Sequence, residues 1–108
     1  MKLTGEAKEQ FEKWYNLEYN YNNRGWRLEE FYNLPEPMQW GVYQDWADSL
    51  GYDVVVEPSE NYNVFWYTLY DPDKNMNNKS GYTNRQEARN AAIEKLNEII
   101  NEKWQDKS

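Results

Sequence analysis

The sequence predicts an α+β fold in the order α-α-β-β-β-α: a small antiparallel three-stranded sheet, with the C-terminal helix packed across it and an added N-terminal helix. Three observations predict it. Apolar residues recur at helical spacing near both ends of the chain, two apolar runs of strand length occupy its middle, and turn-forming residues separate these segments. A length of 108 residues fits a single domain (1–108), with residues 1–36 as a helical extension and 37–104 as the α-β-β-β-α core.

The first helix is predicted over residues 4–17. Thr4 is a typical N-cap residue with an acid, Glu6, in the turn that follows. The apolar positions at helical spacing are Leu3, Ala7, Phe11 and Trp14. The Asn-rich stretch 18–25 predicts a loop, and residues 26–34 predict a short helical turn that ends before Pro35.

The second helix begins near Pro37, a residue that suits a first helical turn, and ends at Gly51, which predicts a left-handed cap. Its apolar residues recur every fourth position: Met38, Val42, Trp46 and Leu50. This pattern predicts an amphipathic helix with one buried face.

Two strands are predicted over residues 52–58 and 61–71. Apolar residues occupy both alternating faces of the second run, which predicts a central strand with helices on both sides of the sheet. "DPDKNMNN" predicts a turn and "KSGYT" a short third strand. Thr83 is predicted to cap the last helix, with Gln86 at its third position.

The last helix carries two apolar strips. One is formed by Ala88, Ala92, Leu96 and Ile99, and the other by Ile93, Ile100 and Trp104, beneath Arg85 and Arg89. We expect the first strip to pack on the sheet. The second is expected to be covered by the N-terminal helix through Phe11, Trp14 and Tyr15. In this interpretation the two arginines extend over a packed helix, with their charged ends in water.

The composition limits the classes of partner and activity that the chain can have. Nineteen acidic residues against twelve basic ones give a formal charge of −7, which favours basic partners and disfavours free nucleic acid. The chain has no cysteine and no histidine, so thiol nucleophiles, the commonest general base and the commonest metal ligand are missing. We therefore expect no cofactor or metal and no enzymatic activity. "DPDKN" has the alternating oxygen ligands of a calcium loop, but Met76 and Tyr82 stand where that loop needs glycine and glutamate, so a polar turn is favoured.

Acidic and aromatic side chains are the remaining candidates for recognition. Aromatic residues make up 18% of the chain, more than a small core absorbs, so some are expected on the surface. Six carboxylates are predicted to contact a partner, although acids that only keep the surface soluble would give the same pattern. They are Glu29, Glu30, Asp45, Asp48, Asp53 and Glu57.

The segment "NRQEARNAAIEKL", which follows a strand and a turn, resembles the end of the double-stranded-RNA-binding domain, and the α-β-β-β-α order of that family matches residues 37–100. Arg85 and Arg89 fall on basic positions of the family motif, and Gln86 replaces a third. The resemblance implies contact with duplex RNA through Arg85 and Arg89.

The whole chain is also similar to small uncharacterised bacteriophage proteins, through residues 46–52 and 83–95. This resemblance implies a non-enzymatic inhibitor of the anti-CRISPR kind. Its partner would be a host nucleic-acid-handling protein such as an RNA-guided (CRISPR-Cas) nuclease, bound through acidic and aromatic surface. We expect a location in the cytoplasm of the bacterial host, because no apolar stretch reads as a signal peptide or membrane span. The alternatives are a small RNA-binding module and a phage structural or sugar-binding component.

Overall fold

The computed structural model describes residues 2–19 and 26–107, with side chains up to Trp104. The helices and strands follow one another as α1 (Gly5–Trp14), a π-helical turn (Tyr15–Tyr19), α2 (Leu28–Tyr32), α3 (Glu36–Ser49), β1 (Asp53–Pro58), β2 (Phe65–Tyr70), β3 (Met76–Tyr82) and α4 (Arg85–Lys107). The predicted α+β class, the antiparallel sheet and the C-terminal helix across it are confirmed. The helical turn expected before Pro35 is α2.

Three predicted boundaries are wrong. The second strand begins at Phe65, four residues later than expected. The first helix does not give way to a loop at Glu18, because the π-helical turn continues it to Tyr19; the rest of the predicted loop, residues 20–25, lies outside the described residues. The third strand begins at Met76, three residues earlier than expected. The polar residues at the start of β3 can belong to a strand because β3 is at the edge of the sheet and its side chains are mostly exposed.

The sheet has the strand order β1-β2-β3, so β2 is central as predicted. Val54 pairs with Leu69 and Val56 with Tyr67 across the first ladder. The second ladder shifts register between Phe65 and Trp66, where Tyr82 and Ser80 are their partners and Gly81 is left between them. Gly81 has φ +102°, a conformation that glycine adopts without steric cost, so the residue type fits this irregularity.

One face of the sheet, here called the inner face, is covered. Its central residues Val54, Tyr67 and Leu69 are buried in a single core with residues of α1, α3 and α4. Ala88, Ala92 and Leu96 of α4 are fully buried, as the first apolar strip predicts, and Ile99 is half-buried. Both α3 and α4 contact the strands, and α3 also contacts α4.

The second apolar strip of α4 is only partly confirmed. Ile93 and Ile100 are buried, and Phe11 of α1 is buried in the same core. Trp104, however, is 51% exposed. It borders an open cavity of about 210 Å³ together with the polar Gln10 of α1 and with Leu50, so α1 offers no apolar cover at this turn of α4.

The N-terminus of α1 depends on contacts that local patterns do not show. Thr4 occupies the N-cap position of α1, yet its side chain caps no backbone N–H. Asn101 of α4 accepts from the backbone N–H of Ala7 at 2.8 Å and donates to the carbonyl of Thr4 at 3.0 Å, while Asn97 accepts from the N–H of Thr4 at 2.8 Å. The N-terminus of α1 is therefore capped by α4.

The C-terminus of α3 and the N-terminus of α4 are closed locally. Gly51 has φ +87° after α3, and the N–H of Tyr52 donates to the carbonyl of Ala47 at 2.9 Å, which confirms the predicted left-handed cap. At α4 the capping residue is Asn84 instead of Thr83: its side-chain oxygen accepts from the N–H of Glu87 at 2.9 Å. The carboxylate of Glu87, not Gln86, binds back to Thr83.

None of the helices in the described part of the chain is both long and apolar enough to cross a bilayer.

Candidate functional site

The second face of the sheet, here called the outer face, carries no helix in the described part of the chain. The expectation of helices on both sides of β2 is therefore wrong. Val55 and Trp66 are half-buried yet stand outside the core, and Tyr70 is 36% exposed. Strand alternation and the observed register place nine residues on this face: Asp53, Val55 and Glu57 from β1; Trp66, Thr68 and Tyr70 from β2; Met76, Asn78 and Ser80 from β3.

The charges on the outer face are of one sign. It contains two carboxylates and no lysine or arginine among its nine residues. Met76, at its β3 edge, is 55% exposed, so apolar surface continues across the strands from Tyr70. A face that is both apolar and acidic, on a chain with a formal charge of −7, is suited to a basic partner.

Each of the two carboxylates lies directly opposite an aromatic ring. The ladder pairs Asp53 with Tyr70 and Glu57 with Trp66. Side chains opposite each other in an antiparallel pair have Cβ atoms about 4.5–5.5 Å apart, so each carboxylate and its ring are neighbours on the same face. No ion pair or side-chain hydrogen bond joins either carboxylate to another described residue.

Three of the six predicted acidic residues lie near one another, and a fourth, Glu57, shares β1 with one of them. Partial burial, together with the nearby charges of Asp53 and Asp45, raises the pKa of Asp48, so the Asp48 carboxylate lies close enough to each of the other two to be repelled by it. Asp53 begins the β1 row of the outer face, and Glu57 ends it. The C-terminal half of α3 thus extends the acidic surface of that row.

Glu29 and Glu30 are not part of this surface. They lie on α2, where Glu30 contacts Arg27 at 3.4 Å. The end of α2 is bound by the side chain of Gln39, which donates to the carbonyl of Phe31 at 3.3 Å and to others nearby. Gln39 belongs to the first half of α3, whereas the aspartates of α3 belong to its second half.

Arg85 and Arg89 cover aromatic rings on the helix-bearing side. The guanidinium carbon of Arg85 lies 5.4 Å from the centre of the Phe65 ring, and that of Arg89 lies 5.5 Å from the Trp40 ring. Burial and the nearby Arg85 lower the pKa of Arg89, whose Nε is enclosed without a hydrogen-bond partner. This geometry matches the packed-helix interpretation, in which each arginine stem covers apolar surface.

The "DPDKN" segment is a hydrogen-bonded turn. Asp71 accepts from the backbone N–H groups of Asp73 and Asn75, both at 2.9 Å, and from the side-chain amide of Asn75 at 3.1 Å. The carboxylate that a calcium loop would turn toward the ion is used to close the turn. In the described residues no cluster of three or more acidic side chains has metal-site geometry.

Sequence reasoning identified Asp53 and Glu57 but did not single out Trp66 and Tyr70. Both faces of β2 were expected to be covered by helices, so neither ring was expected to be accessible. The missing information was the strand register. Once β1 and β2 pair, the four-residue spacing from Asp53 to Glu57 repeats from Tyr70 back to Trp66.

Comparison of the chain with protein-family models, curated proteins and solved structures finds no match in any of the three.

Proposed function

We propose that the protein is a non-enzymatic, phage-type inhibitor that binds a host nucleic-acid-handling protein, with an RNA-guided nuclease as the preferred target class. The observation that carries this proposal is the outer face, which combines an exposed ring, Tyr70, and a half-buried one, Trp66, with carboxylates and has no basic residue. The aspartates of α3 extend its negative charge beside β1.

The physical basis of the proposal is charge complementarity. A nuclease channel that holds guide RNA is lined with basic side chains, and an acidic domain is attracted to such a channel and competes with phosphate there. Charge sets the orientation and the association rate, while large rings such as Trp66 supply most of the contact energy once water is expelled.

The spacing of the acids on the outer face supports binding without turnover. Asp53 and Glu57 are four residues apart on one strand, which separates them by about 13 Å at about 3.3 Å per residue. Carboxylate pairs that cleave glycosidic bonds are about 5–9.5 Å apart. The hydroxyl groups on the same face, Thr68 and Ser80, have no histidine in the chain to activate them.

The first test is affinity capture from bacterial lysate with and without ribonuclease. We expect the recovered partner to be a nucleic-acid-handling protein, identified by mass spectrometry, in equal amounts in both samples. The Asp45→Lys/Asp48→Lys variant should lose it. The matched control Glu9→Lys/Glu94→Lys changes the net charge equally at exposed helix positions and should retain it. Recovery only without ribonuclease would contradict the proposal.

The second test uses the captured nuclease in a titration. We expect activity to fall in proportion to added protein and to reach its minimum near one-to-one stoichiometry. Association should slow as salt rises, because charges are screened over about 8 Å at physiological ionic strength. Complete inactivation by substoichiometric protein would show turnover and refute a binding-only mode.

Duplex RNA is the second candidate partner, and one observation favours it. Arg85 and Arg89 lie close together at the start of α4, and the Nε of Arg89 has no partner. We nevertheless expect no measurable affinity for duplex RNA at physiological salt, because the net charge opposes phosphate binding. Tight binding that disappears in a folded Arg85→Gln/Arg89→Gln variant would reverse this ranking.

A further inference from the structure

We propose that the outer face recognises an extended basic segment with arginines at positions i and i+4 and an apolar residue at i+2. Each arginine is held by one carboxylate–aromatic pair, Glu57 with Trp66 or Asp53 with Tyr70. This inference rests on the proposed function, since it names the chemistry of the partner that the acidic face would bind.

Each pair has the two groups that recognise a guanidinium. A carboxylate accepts two parallel N–H bonds from the planar fork, and an aromatic ring beside it attracts the positive face of the same group. Both groups are available. The cations found over rings in the described residues lie elsewhere, Arg85 over Phe65 and Arg89 over Trp40 among them.

The distance between the pairs selects an extended ligand. Four residues of strand separate them by about 13 Å, and an extended peptide places its i and i+4 side chains on one side at the same distance. A helix does not match: at 1.5 Å and 100° per residue, side chains about 13 Å apart are nine residues apart and point to opposite sides. Same-side positions on a helix fall at about 10.5 or 16.5 Å.

The row between the pairs selects the middle residue of the ligand. Val55 and Thr68 lie opposite each other there, followed by Asn78 on β3. A ligand side chain at i+2 would sit over Val55, which is half-buried and outside the core. An apolar side chain at i+2 gains from this contact, whereas a charged one would lose hydration without finding a partner.

The same face disfavours nucleic acid. Sheet platforms that stack bases on aromatic rings surround those rings with basic side chains, which hold the phosphates. Here the neighbour of each ring across the ladder is a carboxylate. A base stacked on Trp66 would bring its phosphate toward Glu57, so the rings are accessible to cations but not to polyanions.

The test uses an acetylated and amidated peptide, Arg-Ser-Val-Ser-Arg, titrated into the ¹⁵N-labelled protein. We expect amide shifts to concentrate at residues 53–57 and 66–70. A rearranged peptide of equal composition with adjacent arginines should bind about fivefold more weakly, because only one pair is then engaged. A peptide with citrulline in place of both arginines keeps the shape but loses the charge, and it should not bind.

Substitutions in the protein test the same pairs. Glu57→Gln and Asp53→Asn should each weaken binding about fivefold, and Trp66→Leu should do so without unfolding the domain. The matched control Glu94→Gln, at an exposed position of α4, should leave the affinity unchanged. Shifts at another surface, or equal affinity for the spaced, rearranged and citrulline peptides, would overturn the inference.

A final comparison separates this inference from the proposed function. If Asp53→Asn/Glu57→Gln blocks the captured nuclease as well as the unaltered protein does, the inference is wrong and the proposed function stands. If the spaced arginine peptide binds the outer face but no nucleic-acid-handling protein is captured, the proposed function is wrong and the recognition chemistry stands.

Discussion

Both faces of the central strand β2 carry large aromatic side chains, but only one face of the sheet is buried. On β2, Tyr67 and Leu69 of the inner face are 5% and 0% exposed, whereas the outer-face Tyr70 is 36% exposed and Trp66 stands outside the core. The aromatic residues of β2 alone do not decide which of its faces is buried. The difference arises because α3 and α4 both pack on the inner side and leave the outer aromatic residues outside the core.

The largest expected effect is a difference in stability between neighbouring residues of β2. Leu69→Ala should lower the free energy of unfolding by about 2–5 kcal/mol, since it opens a cavity in the core. Thr68→Ala, its outer-face control, should lower it by less than about 1 kcal/mol. Urea denaturation measures both, and equal losses would show that the two faces are packed alike.

A smaller loss of unfolding free energy is expected where Asn101 of α4 binds the start of α1, on the inner side of the sheet. Asn101→Ala removes the acceptor for the Ala7 N–H and the donor to the Thr4 carbonyl, and it should lower stability by about 1–2 kcal/mol. Faster hydrogen exchange at Ala7 should accompany this loss. Glu102→Ala, one residue further at an exposed position, is the control and should change neither quantity.

A still smaller effect is expected at the arginine that covers Trp40. Arg89→Met keeps a long stem on the ring and removes a partly desolvated charge, so stability should change by less than about 1 kcal/mol in either direction. Thermal unfolding measures the change. A loss of several kcal/mol would mean that the Arg89 charge itself holds the covered side together.

The smallest effect concerns the acids beside the outer face. The pKa of Asp48 is raised by partial burial and by Asp53 and Asp45, so the folded state favours protonated Asp48. Ionised Asp48 therefore destabilises the fold at neutral pH, and this penalty disappears as pH falls through the raised pKa. Asp48→Asn should stabilise the protein by about 0.3 kcal/mol or less at pH 7, because the site is exposed, and by nothing below about pH 3.

That pH effect is measured as the difference in unfolding free energy between Asp48→Asn and the unaltered protein, across pH 3–7. A gain that grows toward low pH would have the wrong sign, and would show that Asp45 and Asp53 do not repel Asp48 in the folded state.

Much of the fold could be predicted because it depends on local spacing. The 3.6-residue period of α4 identified Ala88, Ala92 and Leu96 as buried, and Gly51 indicated the end of α3. The same reasoning failed at Trp104, because a period shows which residues share a side of a helix but not how far the neighbouring helix extends.

The candidate site could be predicted only in part. Acid content and aromatic content indicated the kind of surface, and Asp53 and Glu57 were identified as members of it. Glu29 and Glu30 were grouped with them on charge alone, although they lie on α2 and share no contact with that surface. Carboxylates that are solvated look alike in a sequence wherever the fold places them.

By itself the sequence determined the fold class, the order of its elements, the buried strip of α4 and the acidic character of the surface, since each follows from composition or from the spacing of near neighbours. Only the tertiary structure decided which face of β2 stays open, that α4 caps α1 through Asn97 and Asn101, and that each outer carboxylate faces an aromatic ring. The physical reason is that these features depend on strand register and helix docking between residues far apart in the chain.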